Sequence, residues 1–403
     1  AVADADARLK RFEAGLAAPR RIDVTRLPRA TAGAGVTTVD QAPALVHHIG
    51  GRADAYDSLP RFWDQVGVLY SNGDTDELGP DPHLGLGAIP QLAAGFRDHL
   101  PLRERLPVLD PSLCTGCGRC WSACPEGAIG ALALTPARLI DAGIRAAGAD
   151  ALRPIAAQLA GAAATRCLDA TGGPDTRPTN AGLLLREAFA QLEDRLPFPN
   201  ARKQAIGKAV DACVDTIGAV PVVASEALFQ GPERVAKGGG MLLALSLSPH
   251  SCKACGLCVA SCEPGALRNE RQGSQALAAA RAARAAWHRL PDSESDLAQG
   301  AAQSAEPDAL ARALLGQGAA RSTAGGDGIE PGSGARLALR LTIAMLEAHQ
   351  APLQNAHADA VEQARGRILG LIRDVLAGAL PADDLDRLAV RLQAIDSRQA
   401  DLG

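Results

Sequence analysis

One cysteine pattern, written twice, constrains this chain more than any other feature. Cys114-Thr-Gly-Cys117-Gly-Arg-Cys120-Trp-Ser-Ala-Cys124 and Cys252-Lys-Ala-Cys255-Gly-Leu-Cys258-Val-Ala-Ser-Cys262 both read C-x2-C-x2-C-x3-C. Each is followed by a turn, Pro125-Glu126-Gly127-Ala128 or Glu263-Pro264-Gly265-Ala266, leading into Ile129 or Leu267. Eight of the ten cysteines fall in these two repeats. A tight loop with a thiolate at every third residue wraps three corners of an iron–sulfur cubane. The fourth cysteine, one turn further on and heading into a helix, points away from that cubane.

In two-cluster ferredoxins that fourth cysteine ligates the other cluster. The same assignment here gives one [4Fe–4S] cluster to Cys114, Cys117, Cys120 and Cys262, and a second to Cys252, Cys255, Cys258 and Cys124. Crossed ligation forces two loops distant in sequence to lie side by side. Zinc sites take four ligands in two separated pairs, not four in eleven residues twice, and a disulfide framework is out of keeping with a large chain lacking a secretion signal. Gly118 and Gly256 hold the same slot in each loop, where a side chain would crowd the cluster or mask amide donors to its sulfurs; both also read as turn glycines. Trp121 is expected to limit water access or simply to pack. Cys213 lies on an apolar helical stripe and Cys167 at a helix end, and both read as buried structural thiols. His47 and His48 have no ligand partners at useful spacing, and Gly326-Asp327-Gly328 is too short to mark a diphosphate site.

Of the 403 residues 47% are apolar but only 3% aromatic, so the core is built from Ala, Leu, Val and Ile, a palette that favours helices. A net charge of −4 gives no reason to expect nucleic acid or an anionic membrane as partner. No apolar run approaches the roughly 18–20 residues that span a bilayer. The mixed-charge N-terminus lacks the apolar stretch of a signal peptide. Ala1 in place of Met leaves processing or excision from a longer polypeptide open, and a cytoplasmic location is expected. There is no G-x-G-x-x-G after a strand, no Walker loop and no nucleophile elbow.

The expected fold is mainly α, with a small α+β bacterial-ferredoxin-like dicluster domain interrupted by a helical insertion. Residues 1–104 read as an N-terminal arm or linker region, with a helical pattern at Ala7–Ala17 and an irregular Gly/Pro/Asp-rich stretch from Ser71 to Gly87. Residues 105–135 and 246–275 form the dicluster domain, entered by a strand before Cys114. Between them, residues 136–245 form the insertion; the whole of 131–245 reads as helical, with Ile206, Val210, Cys213, Val214 and Ile217 on one face. Residues 276–403 comprise a helix at Ala276–Leu290, a linker at 292–334 and helices at Arg336–His349, Ala358–Ala379 and Asp383–Ile395, the last two a hairpin turning at Pro381. Val361, Ala364, Ile368, Leu371, Ile372 and Val375 share a face.

The segment GAIPQLAAGFRDHLPLRERLPVLDPSLCTGCGRCWSACPEGAI resembles the ferredoxin-like region of 2-oxoacid:ferredoxin oxidoreductases of the pyruvate type. SLPRFWDQVG is similar to the segment preceding that region in fused, single-chain members, and CKACGLCVASCEPGAL to their second cluster motif; the likeness covers roughly residues 55–345. It implies clusters that carry electrons away from thiamine diphosphate, where a 2-oxoacid is decarboxylated and captured by coenzyme A. The family's third cluster uses a cysteine pair in a segment like G-A-C-x-G-C-G-E. Gly328–Ala335 aligns with it, but Glu330 and Ser333 replace the cysteines, and the chain stops before a thiamine core would be complete. The resemblance therefore implies an electron-transfer subunit or portion, with thiamine diphosphate and magnesium on a partner chain if at all. The partners would be catalytic 2-oxoacid oxidoreductase subunits and a ferredoxin, flavodoxin or other acceptor. The alternative is a non-catalytic iron–sulfur carrier and docking subunit of another redox complex.

Overall fold

The computed structural model describes residues 5–17, 42–48, 58–86, 89–90, 92–97, 99–100, 103–168, 177–293, 307, 309–317 and 334–379. It is mainly helical with two small antiparallel sheets. The strands are β1 (Arg105–Leu109), β2 (Ile129–Leu134), β3 (Val222–Val223), β4 (Leu242–Leu247) and β5 (Leu267–Arg271). The helices of more than two turns are α1 (Ala5–Ala17), α2 (Pro136–Ala147), α3 (Ala156–Leu168), α4 (Ala181–Glu193), α5 (Asn200–Ile217), α6 (Ser274–Trp287) and α7 (Gly334–Ala379). None of the described helices is long and apolar enough to cross a membrane.

Strand pairing ties the two cysteine segments together. β1 enters the first segment and pairs with β5, which leaves the second, in the register Leu109↔Leu267. β2 leaves the first and pairs with β4, which enters the second, in the register Ile129↔Leu247. The symmetry extends to single hydrogen bonds. The Asp110 amide donates to the Ala266 carbonyl at 2.8 Å, and the equivalent Ser248 amide donates to the Ala128 carbonyl at 2.7 Å. The two repeats thus form one unit with a local pseudo-twofold axis.

Side chains alternate across a strand, and on the β2–β4–β3 sheet this divides two cores. Leu132, Leu134, Leu242 and Ala244 face α2 to α5, packing with Leu139, Leu159, Leu184, Phe189, Val210 and Ile217. Ile129, Ala131, Ala133, Leu243 and Leu245 face the cysteine loops and pack with Trp121. β2 is therefore buried along its whole length. Truncating Leu132 to Ala costs about 2–5 kcal/mol if the neighbours do not collapse into the gap. Capping sets the helix limits. Thr135 caps α2 by accepting from the Arg138 amide, Pro136 opens it, and Gly148 at φ 62° ends it. Asn180 Oδ1 accepts from the Leu183 amide at 2.8 Å to start α4.

The structure corrects four sequence expectations. The stretch 131–245 contains strands at both ends, and β4 straddles the expected boundary at 245/246. IGALAL and LLALSL carry one β-branched residue between them, so composition alone favours helix; burial on both faces makes them strands. Second, the irregular stretch after Ser71 contains a 3-10 turn at Thr75–Glu77 and a one-turn helix at Pro82–Leu86. Third, part of the expected linker 292–334 is packed core: Ala311, Leu314 and Leu315 are buried against Trp121. Fourth, Arg336–His349 and Ala358–Ala379 belong to one 46-residue helix, α7, which runs through Pro352. Residues 318–333 and Asp383–Ile395 lie outside the described residues, and with them Gly326-Asp327-Gly328, Glu330 and Ser333.

Candidate metal centre

Each cysteine loop is shaped by a glycine with positive φ. Gly118 at φ 86° caps the short helix Arg119–Ala123, and Gly256 at φ 79° caps Leu257–Ala260. A residue with a Cβ is strained there, so the two motifs need glycine at this slot before any ligand is considered. The glycines differ in their surroundings. A Cβ on Gly118 would overlap the Ala311 Cβ and stand 2.9 Å from Trp121 Cζ2, whereas one on Gly256 would find only Asn269 Nδ2, at 4.0 Å.

The eight thiols ring two cavities of near-equal size. Cys114, Cys117, Cys120 and Cys262 line one, with about 330 Å³ of space between atoms. Cys252, Cys255, Cys258 and Cys124 line the other, with about 340 Å³. Each cavity takes three cysteines from one loop and the fourth from the other. Among the described residues no three His, Cys, Asp or Glu side chains group as ligands of a single metal ion. Zinc would need sulfurs at about 2.3 Å from one point; here they stand around a space instead. Four soft thiols lining one hollow fit a [4Fe–4S] cluster as a donor set.

Backbone amides point at several sulfurs. Ala128 N–H donates to Cys124 Sγ at 3.3 Å, Ala254 N–H to Cys252 Sγ at 3.4 Å, and Leu267 N–H to Cys262 Sγ at 3.4 Å. Such bonds favour the more negative, reduced state of a cluster. Without metal, burial favours the protonated form of Cys114, Cys120, Cys252, Cys255 and Cys258. Burial, opposed by the Gly116 amide and reinforced by Cys117 and Cys262, pushes Cys114 up to about 11. Burial together with Cys124, Cys252 and Cys255 pushes Cys258 up to about 12. Burial also raises Cys120, whose charged neighbours include Cys258 as well as Cys114, so the two rings adjoin. Cluster binding must therefore release protons.

The two cavities differ in surroundings and in charge. The segment 309–317 packs like a strap against Gly118 and Trp121, which stand in the wall of the first. Trp121, 1% exposed, donates its indole N–H to the Ala311 carbonyl at 2.9 Å. Gln317 ties the end of the strap to the Leu290 carbonyl at 2.7 Å and to Asp292 Oδ1 at 2.9 Å. The two cavities are about equally enclosed, but Cys255 of the second is exposed whereas its counterpart Cys117 is half-buried. The second is the more cationic. Buried Arg103 donates to the Cys252 carbonyl and to Gln272 Oε1, and Lys253 pairs with buried Glu126. Leu92 anchors the N-terminal helices to the same region, its amide donating to the Glu126 carbonyl at 3.0 Å and its carbonyl accepting from Ser251 Oγ at 3.2 Å.

Arg103, the Glu126–Lys253 pair and the strap are the features that sequence reasoning missed. Only the strap left a readable signal, the apolar run Ala309-Leu310-Ala311-Arg312-Ala313-Leu314-Leu315. Cys167 and Cys213 sit in the helical core, each 1% exposed and away from both cavities.

The family model for the 4Fe–4S binding domain matches residues 107–130, which span the end of β1, the first four cysteines and the start of β2. No curated protein and no solved structure matches the chain. The chain thus contains an iron–sulfur domain of the kind that serves electron transfer.

Proposed function

We propose that this chain holds two [4Fe–4S] clusters, one on Cys114, Cys117, Cys120 and Cys262 and one on Cys252, Cys255, Cys258 and Cys124, and serves as the electron-transfer part of a 2-oxoacid:ferredoxin oxidoreductase-type complex. The observation that carries the cluster assignment is the exchange of the fourth cysteine between the two cavities. When bound, each cluster supplies one-electron redox chemistry at a potential set by its surroundings. The chain's own residues do the rest. The thiolates fix the two sites side by side, and the amides of Ala128, Ala254 and Leu267 stabilise negative charge on sulfur. Trp121, held from behind by the segment 309–317, limits water at the first site. Arg103 favours added negative charge at the second, and exposed Cys255 marks the side on which an acceptor such as a ferredoxin or flavodoxin meets it.

The identity of the complex rests on the resemblance at residues 55–345, with thiamine diphosphate and magnesium on a companion chain. Glu330 and Ser333, in place of the family's cysteine pair, favour a second reading: a non-catalytic carrier and docking subunit of another redox complex. Anaerobic protein should contain about eight iron and eight acid-labile sulfide per chain, following from two four-thiol sites. Electron paramagnetic resonance of Cys124→Ala and Cys262→Ala tests the crossing. Each variant should perturb the cluster of the opposite loop; damage confined to the variant's own loop rejects the scheme. Co-purification of a thiamine-diphosphate-binding chain from the native source separates the two complexes.

A further inference from the structure

The pseudo-twofold axis gives the cross-strand pair Arg105↔Arg271 a counterpart, Ala133↔Leu243. The counterpart is core, both side chains 0% exposed and packed with Trp121. Arg105 and Arg271 are exposed. Like charges directly opposite each other destabilise an antiparallel pair, and among the described residues neither guanidinium gains a hydrogen bond or ion pair in return. Nothing inside the fold explains the two arginines.

Their position does. Side chains alternate along a strand, and the next pair on the same face is Pro107↔Asn269. Pro107 lines the second cavity, and Asn269 Nδ2 is the neighbour that a Cβ on Gly256 would meet. Gly256 follows Cys255, the exposed thiol of that ring. Of the nearby acids, Glu126 is buried against Lys253, Glu270 shares the opposite face with Leu106, and Glu104 adjoins Arg105 without pairing with it. The edge beside Cys255 thus presents positive charge on a chain whose net charge is −4.

We propose that Arg105 and Arg271 form the seat of an acidic protein that accepts electrons beside Cys255. Carboxylates on its surface pair with the two guanidiniums, relieve their mutual repulsion and bring its redox centre towards the second cavity. One electron passes per encounter: the second cluster is oxidised, the acceptor's centre is reduced, and no proton or covalent bond moves. The electron step rests on the cluster reading above; the pairing of charges does not.

Two measurements on the cluster-loaded full chain test the seat, with iron and sulfide determined on the same samples. The first is the anisotropy of a fluorescent decapeptide of Asp and Glu at about 10 mM ionic strength, where charges are little screened. Saturable binding is expected. Arg105→Glu/Arg271→Glu should weaken it about tenfold, while Arg186→Glu/Lys208→Glu on α4 and α5, an equal change in net charge, should not. The second follows reoxidation of the dithionite-reduced chain by the anionic Co(III)–EDTA complex and by cationic Co(III) hexaammine. The Arg105/Arg271 reversal should slow the anion about tenfold and speed the cation, and both effects should vanish in about 0.5 M salt. Absent peptide binding, equal weakening by the α4/α5 reversal, or oxidation rates indifferent to the Arg105/Arg271 reversal overturns the proposal. Arg105→Gln/Arg271→Gln takes the place of the reversal if the latter loses iron. Iron missing from the unsubstituted chain counts against the cluster reading instead, and the peptide measurement then decides the seat.

Discussion

Gly118 and Gly256 provide a controlled comparison inside one molecule. Both sit at the same position of the repeat with φ near 80°, at 86° and 79°. Substituting Ala for either forces an L-residue into the left-handed region, at about 1–2 kcal/mol. For Gly256→Ala that is the whole cost, because the new methyl enters open space. For Gly118→Ala the methyl overlaps Ala311 and crowds Trp121, and overpacking adds about 1–3 kcal/mol. The expected losses are therefore about 1–2 and about 2–5 kcal/mol. If the strap yields instead, the Trp121–Ala311 hydrogen bond breaks and the wall of the first cavity loosens. The assay is loss of visible cluster absorbance in guanidinium, together with the rate of iron release to a chelator. Gly118→Ala should shift the midpoint further and speed release more than Gly256→Ala. Ala311→Gly in the Gly118→Ala background should restore part of the loss, a coupling expected of residues in contact. Equal losses for the two glycines, or strict additivity with Ala311→Gly, would refute the role given to the strap.

Replacing Arg103 by Gln removes a positive charge near Cys252, so the potential of the second cluster should fall by roughly tens of millivolts in a redox titration while the first holds steady. Burial pushes Cys167 up to about 12 and Cys213 up to about 11, so both should resist iodoacetamide in the folded protein and react on unfolding. Between the ordinary thiol value of 9.0 and about 12 the native state keeps the Cys167 proton that the unfolded chain has released. Its contribution to stability is thus complete below pH 9 and declines above it, which chemical denaturation from pH 7 to 10 would detect as a loss confined to the alkaline end and smaller in Cys167→Ala, where only Cys213 still contributes. On α7, Val361, Ile368, Leu371 and Val375 are more than half exposed and recur at intervals of seven, three and four, which keeps them on one face, so removing residues 350–403 should leave iron content and the cluster-loss midpoint unchanged yet prevent co-purification of partner chains.

The cysteine loops were legible because ligand spacing is a local property, and so were the cores of α2 to α5, where Leu, Ile and Val recur with helical period. The remainder depended on long-range partners. β2 and β4 are written in Ala and Leu, and only their mutual pairing and double-sided burial make them strands. The strap hides in a Gly/Ser-rich context that masks a short apolar run. Arg103 bonds to a backbone carbonyl of the second loop, a partner that no side-chain pattern encodes. Pro352 marks a helix boundary by the usual rule, yet α7 continues through it, its flanking Ala, Gln and Leu residues carrying the helix on.

The exchange of strands between the two cysteine segments also sets the order in which this chain must be made. β2 and β4 can meet only after the roughly hundred residues between them have left the ribosome, and a loop of that length pays an entropic toll for closing. Helices α2 to α5 rely on near neighbours and are the quick part of the fold; by bringing their own two ends together they shorten the search. β1 has longer to wait, since its partner β5 follows the second cysteine segment. During that wait the first loop has three cysteines and lacks the fourth, Cys262, which has yet to emerge. Metal delivery is thereby tied to near-complete synthesis, and a chain arrested inside the insertion is left with neither four-thiol ring.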